Sequence, residues 1–314
     1  MRLRGAKRHA PTFIANEAFF MFAKLIATFT LILSLLCRNF AVLPARHAED
    51  VRLKAVLVSD IHADADFTRD RTDVMRQIFA AIGRTQNDAD TLVMSGDLTN
   101  SGDLREYINL INCLNVYCRI RGRIPEMGNH DSWHHSDDPD YAKAARYFKA
   151  FCRWNGVCTD KVYYKKTVNG VPFLMLGVED CDFKNPYHSD EQLDWFEAEL
   201  NAAVAKGGPV FVICHKPPED LGDSAGRMQT ILRSAAADAE APIIYVSGHW
   251  HEIGENTFSQ PCDRLVLLNL PSVQYTAEGG LGFIAEVREG EVTLTGMNFL
   301  TDAPLEGYEY HITY

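Results

Sequence analysis

Three polar side chains in a row follow a short apolar stretch in the middle of the chain. The segment IPEMGNHDSW (residues 124–133) places an amide, an imidazole and a carboxylate side by side at Asn129, His130 and Asp131. A buried strand does not normally end in such a cluster, and a plain turn does not need all three groups. The segment therefore predicts chemistry at the end of a strand.

Four other apolar runs end in the same way. They are rich in Val, Ile or Leu, which is typical of strands buried on both faces. The polar residues that follow them are Asp60 and His62, then Asp97, then His215, and finally His249 with His251. Because strand ends on one side of an open α/β sheet converge on a shared crevice, we expect these side chains to meet in one pocket.

The side chains at these five strand ends are typical ligands of transition metals. Together they offer two carboxylates, one amide oxygen and up to five imidazoles. Mixed carboxylate and imidazole ligands favour Zn, Mn, Fe or Co over Ca or Mg, which prefer all-oxygen shells. Seven or eight ligands exceed one tetrahedral site and fit two ions roughly 3.5–4 Å apart that share a bridging carboxylate.

The elements that position these residues alternate between strands and helices. The predicted strands are 53–60, 91–97, 123–131, 209–215 and 242–251. Amphipathic periodicity predicts helices over 73–84, 103–116 and 190–206. This alternation indicates an α/β layer fold. Beyond residue 262, three strand-like runs joined by short turns are candidates for completing a second sheet, and no domain boundary is evident after residue 50.

The charge balance limits the class of substrate. The chain of 314 residues has a formal net charge of −11, with 31 Lys and Arg against 42 Asp and Glu. Residues 1–48 hold seven of those basic residues and one acid, so residues 49–314 carry a net charge of −17. Such an acidic body is poorly suited to a nucleic-acid polymer. A small phosphorylated substrate remains compatible, because bound metal ions supply positive charge.

The N-terminal segment differs in composition from the rest. Residues 25–36 (LIATFTLILSLL) are apolar and uncharged, and Lys24 precedes them. This pattern predicts a secretory signal peptide, and the run is shorter than the roughly 20 residues that span a bilayer. An uncleaved membrane anchor and a buried helix of the fold are the alternatives. We expect residues 1–48 to be the signal or anchor and residues 49–314 to form an exported domain, with membrane contact only through the N-terminal segment.

Five short motifs occur in order between residues 59 and 251. They are SDIH (59–62), SGDLTNSG (95–102), GNHD (128–131), CHKPP (214–218) and GHWH (248–251). In this order they resemble the motif blocks of the calcineurin-like metallophosphoesterase superfamily. The resemblance implies two packed mixed β-sheets flanked by helices, in a four-layer α/β/β/α sandwich. It also implies two divalent or mixed-valence ions of Mn, Fe, Zn or Co.

The resemblance also assigns a role to each residue of the motifs. The first metal would be held by Asp60, His62 and His251, the second by Asn129, His215 and His249, with Asp97 bridging both. Gly96, Gly128 and Gly248 would permit tight turns that aim the ligands inward. His130 would donate a proton to the departing alkoxide or to the phosphoryl oxygens, and Asp131 would accept the other ring N–H of His130 and fix its tautomer.

The implied activity is hydrolysis of a phosphate ester by attack of a metal-bridging hydroxide. A phosphodiesterase or a broad phosphomonoesterase is expected; a nuclease and a non-catalytic scaffold of the same superfamily are the alternatives. Asn100 stands where purple acid phosphatases have a tyrosine, so no tyrosinate–iron(III) chromophore is expected. His134, His135 and His188 are expected in surface loops.

Overall fold

The structure is a computed structural model that describes Phe29, Ile32 and residues 47–67, 70–132, 140–179, 187–276 and 279–314. Apart from two residues, the apolar segment 25–36 lies outside this described part, so the N-terminal signal stays a prediction. Within the described residues, no helix is both long enough and apolar enough to cross a bilayer.

The first sheet has six strands. Their spatial order is β12, β11, β10, β1, β2, β3. The strands are β1 (Leu53–Val58), β2 (Thr91–Met94), β3 (Gly122–Pro125), β10 (Leu281–Arg288), β11 (Glu291–Asn298) and β12 (Ala303–Thr313). Strands β1 to β3 are parallel, and β10 pairs antiparallel with β1, so the sheet is mixed.

The second sheet also has six strands, in the order β4, β5, β6, β7, β9, β8. They are β4 (Tyr164–Val168), β5 (Val171–Leu176), β6 (Val210–Cys214), β7 (Ile243–Ser247), β8 (Phe258–Cys262) and β9 (Leu265–Asn269). The four central strands are parallel, and the two edge strands β4 and β8 are antiparallel to their neighbours. Both sheets are therefore mixed, as the sequence predicts.

Six α-helices connect these strands in the described residues. They are α1 (Asp70–Thr85), α2 (Leu104–Tyr117), α3 (Asn129–Ser132), α4 (Tyr141–Trp154), α5 (Asp190–Val204) and α6 (Ala225–Ala237). The start of α2 is fixed by a capping box, in which Asp103 accepts a backbone N–H and Glu106 accepts the N–H of Asp103.

The alternating side chains of the second sheet contribute to two separate apolar cores. On β6, Phe211 and Ile213 join a core shared with the first sheet and with α1, α2 and α4. Their neighbours Val212 and Cys214 join a second core with α5 and α6. This alternation is the period-two pattern of a strand buried on both faces. It places helices on the outer sides of two packed sheets.

The predicted strands are confirmed in position but are shorter than predicted. The clearest difference is at 123–131, where β3 ends at Pro125 and a helical turn, α3, begins at Asn129. The C-terminal strands divide between the sheets: β9 joins the second sheet, whereas β10 and β11 join the first. The strand ends that carry the motifs therefore come from two sheets that meet, and not from one sheet edge.

Candidate metal centre

The motif residues lie directly beyond the carboxyl ends of five strands, three from the first sheet and two from the second. Asp60 and His62 follow β1, Asp97 follows β2, Asn129 and His130 follow β3, His215 follows β6, and His249 with His251 follow β7. Two groups of metal-ligating atoms result, each with its atoms within 4.8 Å of one another: Asp60, His62, Asp97 and His251, and Asp97, His215 and His249. Asp97 belongs to both groups, as a bridging ligand must.

The backbone at the ligands is in an unusual conformation. Of the seven non-glycine residues with positive φ in the described part of the chain, five are predicted ligands. They are Asp60 (53°), His62 (47°), Asp97 (45°), His249 (74°) and His251 (63°). This region costs free energy for residues with a Cβ and persists where the surrounding structure imposes it, often at functional sites. The fold therefore aims these side chains at the expense of backbone strain.

Glycines make room for the ligands. Gly96 has φ of +70°, which confirms the predicted tight turn. Gly248 is required by close approach instead, because a Cβ there would lie 1.9 Å from Ser59 Oγ and 2.5 Å from Asp60 Oδ2. At Gly128, a Cβ would lie 2.2 Å from the backbone N of Asp97. Two of the three glycines thus permit dense packing around a carboxylate.

The carboxylates of Asp60 and Asp97 each have one oxygen fixed by the backbone and one directed at the site. Asp60 Oδ2 accepts the N–H of His249 at 3.1 Å, and Asp97 Oδ1 accepts the N–H of His130 at 2.8 Å. Asp60 Oδ1 lies 2.9 Å from Nε2 of His251, and Asp97 Oδ2 lies 3.0 Å from Nε2 of His215. These paired arrangements preorganise one oxygen of each carboxylate for a cation.

Several buried ligand atoms have no polar partner outside the ligand set in the described part of the chain. Asn129 Oδ1 has no hydrogen-bond partner there, and the ion pairs of Asp60 Oδ1 and His215 Nε2 are with other predicted ligands. An unsatisfied polar atom in the interior costs free energy, and binding of an ion would satisfy it. Nδ1 of His215 donates to the carbonyl of Ser95 at 2.9 Å, so Nε2 is the ring nitrogen that would bind a metal once it has lost its proton. The donor set therefore fits two transition-metal ions, and the buried, unpartnered amide oxygen of Asn129 keeps this residue a predicted ligand of the second ion.

The electrostatics of the metal-free cluster are dominated by His215. Burial alone would lower the pKa of His215, but Asp97 and Asp60 beside it raise it to about 10. Burial would raise the pKa of Asp97, yet the charge of His215 lowers it to about 2. For His249, burial and the nearby His215 lower the pKa to about 4. In the absence of metal, protonated His215 therefore supplies the positive charge beside the two buried carboxylates.

His130 has its ring fixed by a backbone carbonyl and not by Asp131, so the predicted contact is wrong. Nδ1 of His130 donates to the carbonyl of Asn100 at 2.9 Å. This leaves Nε2 facing the centre, 4.0 Å from Asp97 Oδ2. Asp131 points elsewhere because adjacent residues of a helical turn project in different directions.

Asp131 instead joins two loops of the site. Its carboxylate accepts the backbone N–H groups of Leu98, Thr99 and Gly128, at 3.0–3.1 Å. It also accepts the hydroxyl of Thr99 at 2.7 Å. Asp131 thus orients His130 indirectly, by holding the loop whose Asn100 carbonyl binds the ring. Burial and the charge of Asp97 raise the pKa of Asp131 to about 6 against these hydrogen bonds.

Two residues near the site were missed by the sequence analysis. Asp220 lies 3.3 Å from Nε2 of His249, and Tyr275 packs against His62 and His251. Neither follows a strand in a recognisable motif, so the pattern of strand ends gives no signal for them. The expectation that His188 lies on the surface is wrong: it is buried, and burial lowers its pKa to about 3. His134 and His135 lie outside the described residues.

Metal uptake by the metal-free protein should release protons and weaken as the pH falls. The reason is that His215 must lose its proton to become a ligand.

The raised pKa of His215 also predicts how the stability of the metal-free protein depends on pH. The contribution of His215 to the free energy of unfolding is complete below pH 6.5 and is lost as the pH rises through about 10. Thermal unfolding of chelator-treated protein between pH 6.5 and 10 should therefore show a falling Tm, which His215→Asn should flatten. Metal affinity that does not change with pH would contradict this account.

Comparisons with known proteins agree with this fold. No curated protein matches the chain. A dimetal phosphatase from Danio rerio has a similar structure, with a TM-score of 0.59 and 16% identity over 84% of this chain and 100% of that one. A purple acid phosphatase from yellow lupin seeds has a TM-score of 0.56 and 12% identity over 83% of this chain. This chain covers 53% of that protein, so the likeness concerns about half of its length.

The sequence profile of a known family covers the region of the site. It matches residues 53–252, which is more than half of the chain and includes all seven predicted ligands. The five strands that position those ligands, β1, β2, β3, β6 and β7, lie within this range. The chain therefore belongs to the calcineurin-like phosphoesterase family and is a metal-dependent phosphate ester hydrolase.

Proposed function

We propose that the chain is an exported enzyme that hydrolyses small phosphodiesters with two transition-metal ions. The observation that carries the proposal is the pair of ligand groups that share Asp97. Ions bound in these groups would supply a nucleophile from water near neutral pH and neutralise the phosphoryl oxygens. Of the metals that suit these ligands, Mn, Fe, Zn and Co are the candidates.

The chain itself supplies orientation and a proton. Asp60 and Asp97 are held by backbone N–H groups, so they keep their places without substrate. When His130 is protonated, its Nε2–H faces the centre and is placed to donate to the departing alkoxide oxygen. The Asn100 carbonyl holds the other ring nitrogen, so the ring cannot turn Nε2 away without losing that hydrogen bond. This is the arrangement of a general acid.

A diester needs room at the site for its second ester group. The side chains of His130 and His251 are 32% and 35% exposed, so the site is accessible from solvent, which supports a diester. A broad phosphomonoesterase is the second candidate, and the names of the two similar structures, both phosphatases, favour it. Turnover of matched mono- and diesters by protein loaded with Mn, Fe, Zn or Co in turn would decide between them. A preference for monoesters with every metal would exclude the first candidate.

A non-catalytic scaffold and a nuclease fit less well. A scaffold need not keep every ligand, whereas this chain has all seven in the predicted order. A nuclease that binds a long polymer needs a basic surface, but residues 49–314 carry a net charge of −17. Metal content separates the scaffold from the enzyme, and turnover of small esters against DNA separates the nuclease.

Removal of residues 1–48 should leave a soluble and active protein if the segment is an export signal. All predicted ligands lie beyond residue 58, and β1 begins at Leu53. The truncated chain should bind the same amount of metal and keep kcat/KM within about twofold, because surface changes away from the site have small effects. Metal analysis and turnover before and after truncation test this. Aggregation, or loss of the metal, would show that the segment belongs to the fold.

A further inference from the structure

Tyr275 forms one wall of the candidate centre. Its ring meets that of His62 edge to face, with centroids 4.8 Å apart. It lies nearly parallel to the ring of His251, with centroids 5.5 Å apart and an interplanar angle of 23°. Because Tyr275 is 40% exposed, this wall is open to solvent. A substrate bound at the two ligand groups would therefore lie beside the ring of Tyr275.

The hydroxyl of Tyr275 joins two further polar side chains. The guanidinium of Arg71 donates to this hydroxyl and lies 4.8 Å from the ring centroid. The hydroxyl in turn donates to the amide oxygen of Asn100 at 3.4 Å. The backbone carbonyl of the same Asn100 holds His130. Arg71, Tyr275 and Asn100 therefore form a group, here called the rim triad, on the side of the centre where His130 lies.

The rim triad is anchored to the ligand framework. The hydroxyl of Ser272 accepts the N–H of Tyr275 at 2.9 Å and donates to the carbonyl of the ligand Asp60 at 2.9 Å. The side chain of Gln274 donates to the carbonyl of Arg71 at 2.6 Å. These bonds tie both the loop of Tyr275 and the first turn of α1 to the centre. A preorganised group loses less conformational freedom when it binds a ligand.

The guanidinium of Arg71 is held by a neutral partner, although Asp70 and Asp73 lie in the same helical turn. Among the described residues, no carboxylate forms an ion pair with its guanidinium, and its hydrogen-bond partner is the neutral Tyr275. Lys216, on the side of His215, differs, since its Nζ lies 3.8 Å from a carboxylate oxygen of Asp220. In a protein with a net charge of −11, an unneutralised arginine beside a phosphate site is suited to an anion.

The position of the rim triad indicates which part of the substrate carries the anionic group that Arg71 would bind. The reacting phosphoryl group belongs at the two ligand groups, whereas Arg71 touches the far end of Tyr275 and no ligand. An anion at Arg71 is therefore a second charged group of the substrate. Because the rim triad adjoins His130, which is placed to protonate the departing oxygen, the second group lies on the leaving alcohol.

We propose that the rim triad binds an anionic substituent of the leaving group and so selects phosphate esters of alcohols that carry a phosphate or a carboxylate. Arg71 supplies the charge and the paired donors, and Tyr275 holds the guanidinium in place. Asn100 links this recognition to the residue that orients His130. This inference rests on the proposed hydrolysis of phosphate esters at the same centre.

Three aryl phosphates that differ only in the para substituent test the proposal. They are 4-methoxyphenyl phosphate, 4-carboxyphenyl phosphate and hydroquinone bisphosphate, each also prepared as the methyl diester at the reacting phosphate. Arg71→Gln should lower kcat/KM about 10- to 100-fold on the two charged substrates, the loss expected for a hydrogen bond to a charged group. On the neutral substrate it should stay within about twofold. Comparing variant with wild type on each substrate cancels the differences in leaving-group pKa.

Two further variants and the possible outcomes complete the test. Tyr275→Phe should give a smaller loss of the same selectivity, because it removes the hydroxyl that holds Arg71. Arg84→Gln, on the exposed face of the same helix, is the matched control and should change nothing. A loss confined to one charged substrate supports the proposal and identifies phosphate or carboxylate as the group. Equal losses on all three substrates, or none, would overturn it. If metal-loaded wild type hydrolyses none of them, the proposed function fails and this inference fails with it.

Discussion

Asp97→Ala should abolish metal binding and activity together, with a loss of turnover of at least about 10³-fold. Asp97 is the residue shared by the two ligand groups, and its Oδ2 lies 3.0 Å from Nε2 of His215. Without this carboxylate, each group loses one ligand and the link between them, and the positive charge of His215 is left buried without the neighbour that its Nε2 contacts. Metal content per chain and kcat on an aryl phosphate are the two measurements.

Two companion variants keep the Asp97 result interpretable. Asp97→Asn preserves the shape and the hydrogen bond from the N–H of His130, so it should fold while holding less metal. Asp73→Asn alters an exposed carboxylate on α1 and should leave both measurements unchanged. Two metal ions per chain in Asp97→Ala would contradict the assignment of Asp97 as the bridge.

His130→Ala should keep both metals and lower turnover by about 10²–10⁴-fold. The metals should stay because the contact between His130 and Asp97 that fixes the carboxylate comes from the backbone N–H, which alanine retains. The loss should be larger on alkyl esters than on p-nitrophenyl esters. An alkoxide leaves poorly without a proton, whereas p-nitrophenolate is stable without one. Steady-state kinetics on both ester classes, with metal analysis of each sample, test this.

The outcomes for His130 separate three roles. A loss that depends on the leaving group identifies a general acid. Equal losses on alkyl and p-nitrophenyl esters, with metal intact, would show that His130 stabilises charge on the phosphoryl oxygens instead. Loss of metal would contradict the ligand assignment after β3. His311→Ala, an exposed histidine on β12, is the control for the general effect of removing an imidazole.

The sequence predicts which side chains gather at the candidate centre because their signal is local. Each of them lies just beyond an apolar strand run, so the type and order of residues at the strand ends indicate the group. The two-sheet fold follows from the resemblance that these motifs carry. What the motifs do not show is the backbone strain at Asp60, His62 and Asp97, since positive φ at a residue other than glycine leaves no signature in composition.

The contacts around the ligands were less predictable, because they join residues distant in sequence. Asp131 was assigned to His130 because the two are adjacent, yet its partners are on the loop after β2. Tyr275 lies 213 positions from His62 along the chain but packs against its ring. Such contacts depend on how two sheets meet, which sequence periodicity does not specify.

The metal stoichiometry and spacing of the purified protein test the central claim most directly. Elemental analysis combined with X-ray absorption spectroscopy should show two transition-metal ions per chain, with a metal–metal distance of about 3.5–4 Å. The same measurement on the Asp97→Asn variant should no longer show metal–metal scattering. One ion per chain, or two ions with no metal–metal scattering, would contradict a dinuclear centre bridged by Asp97.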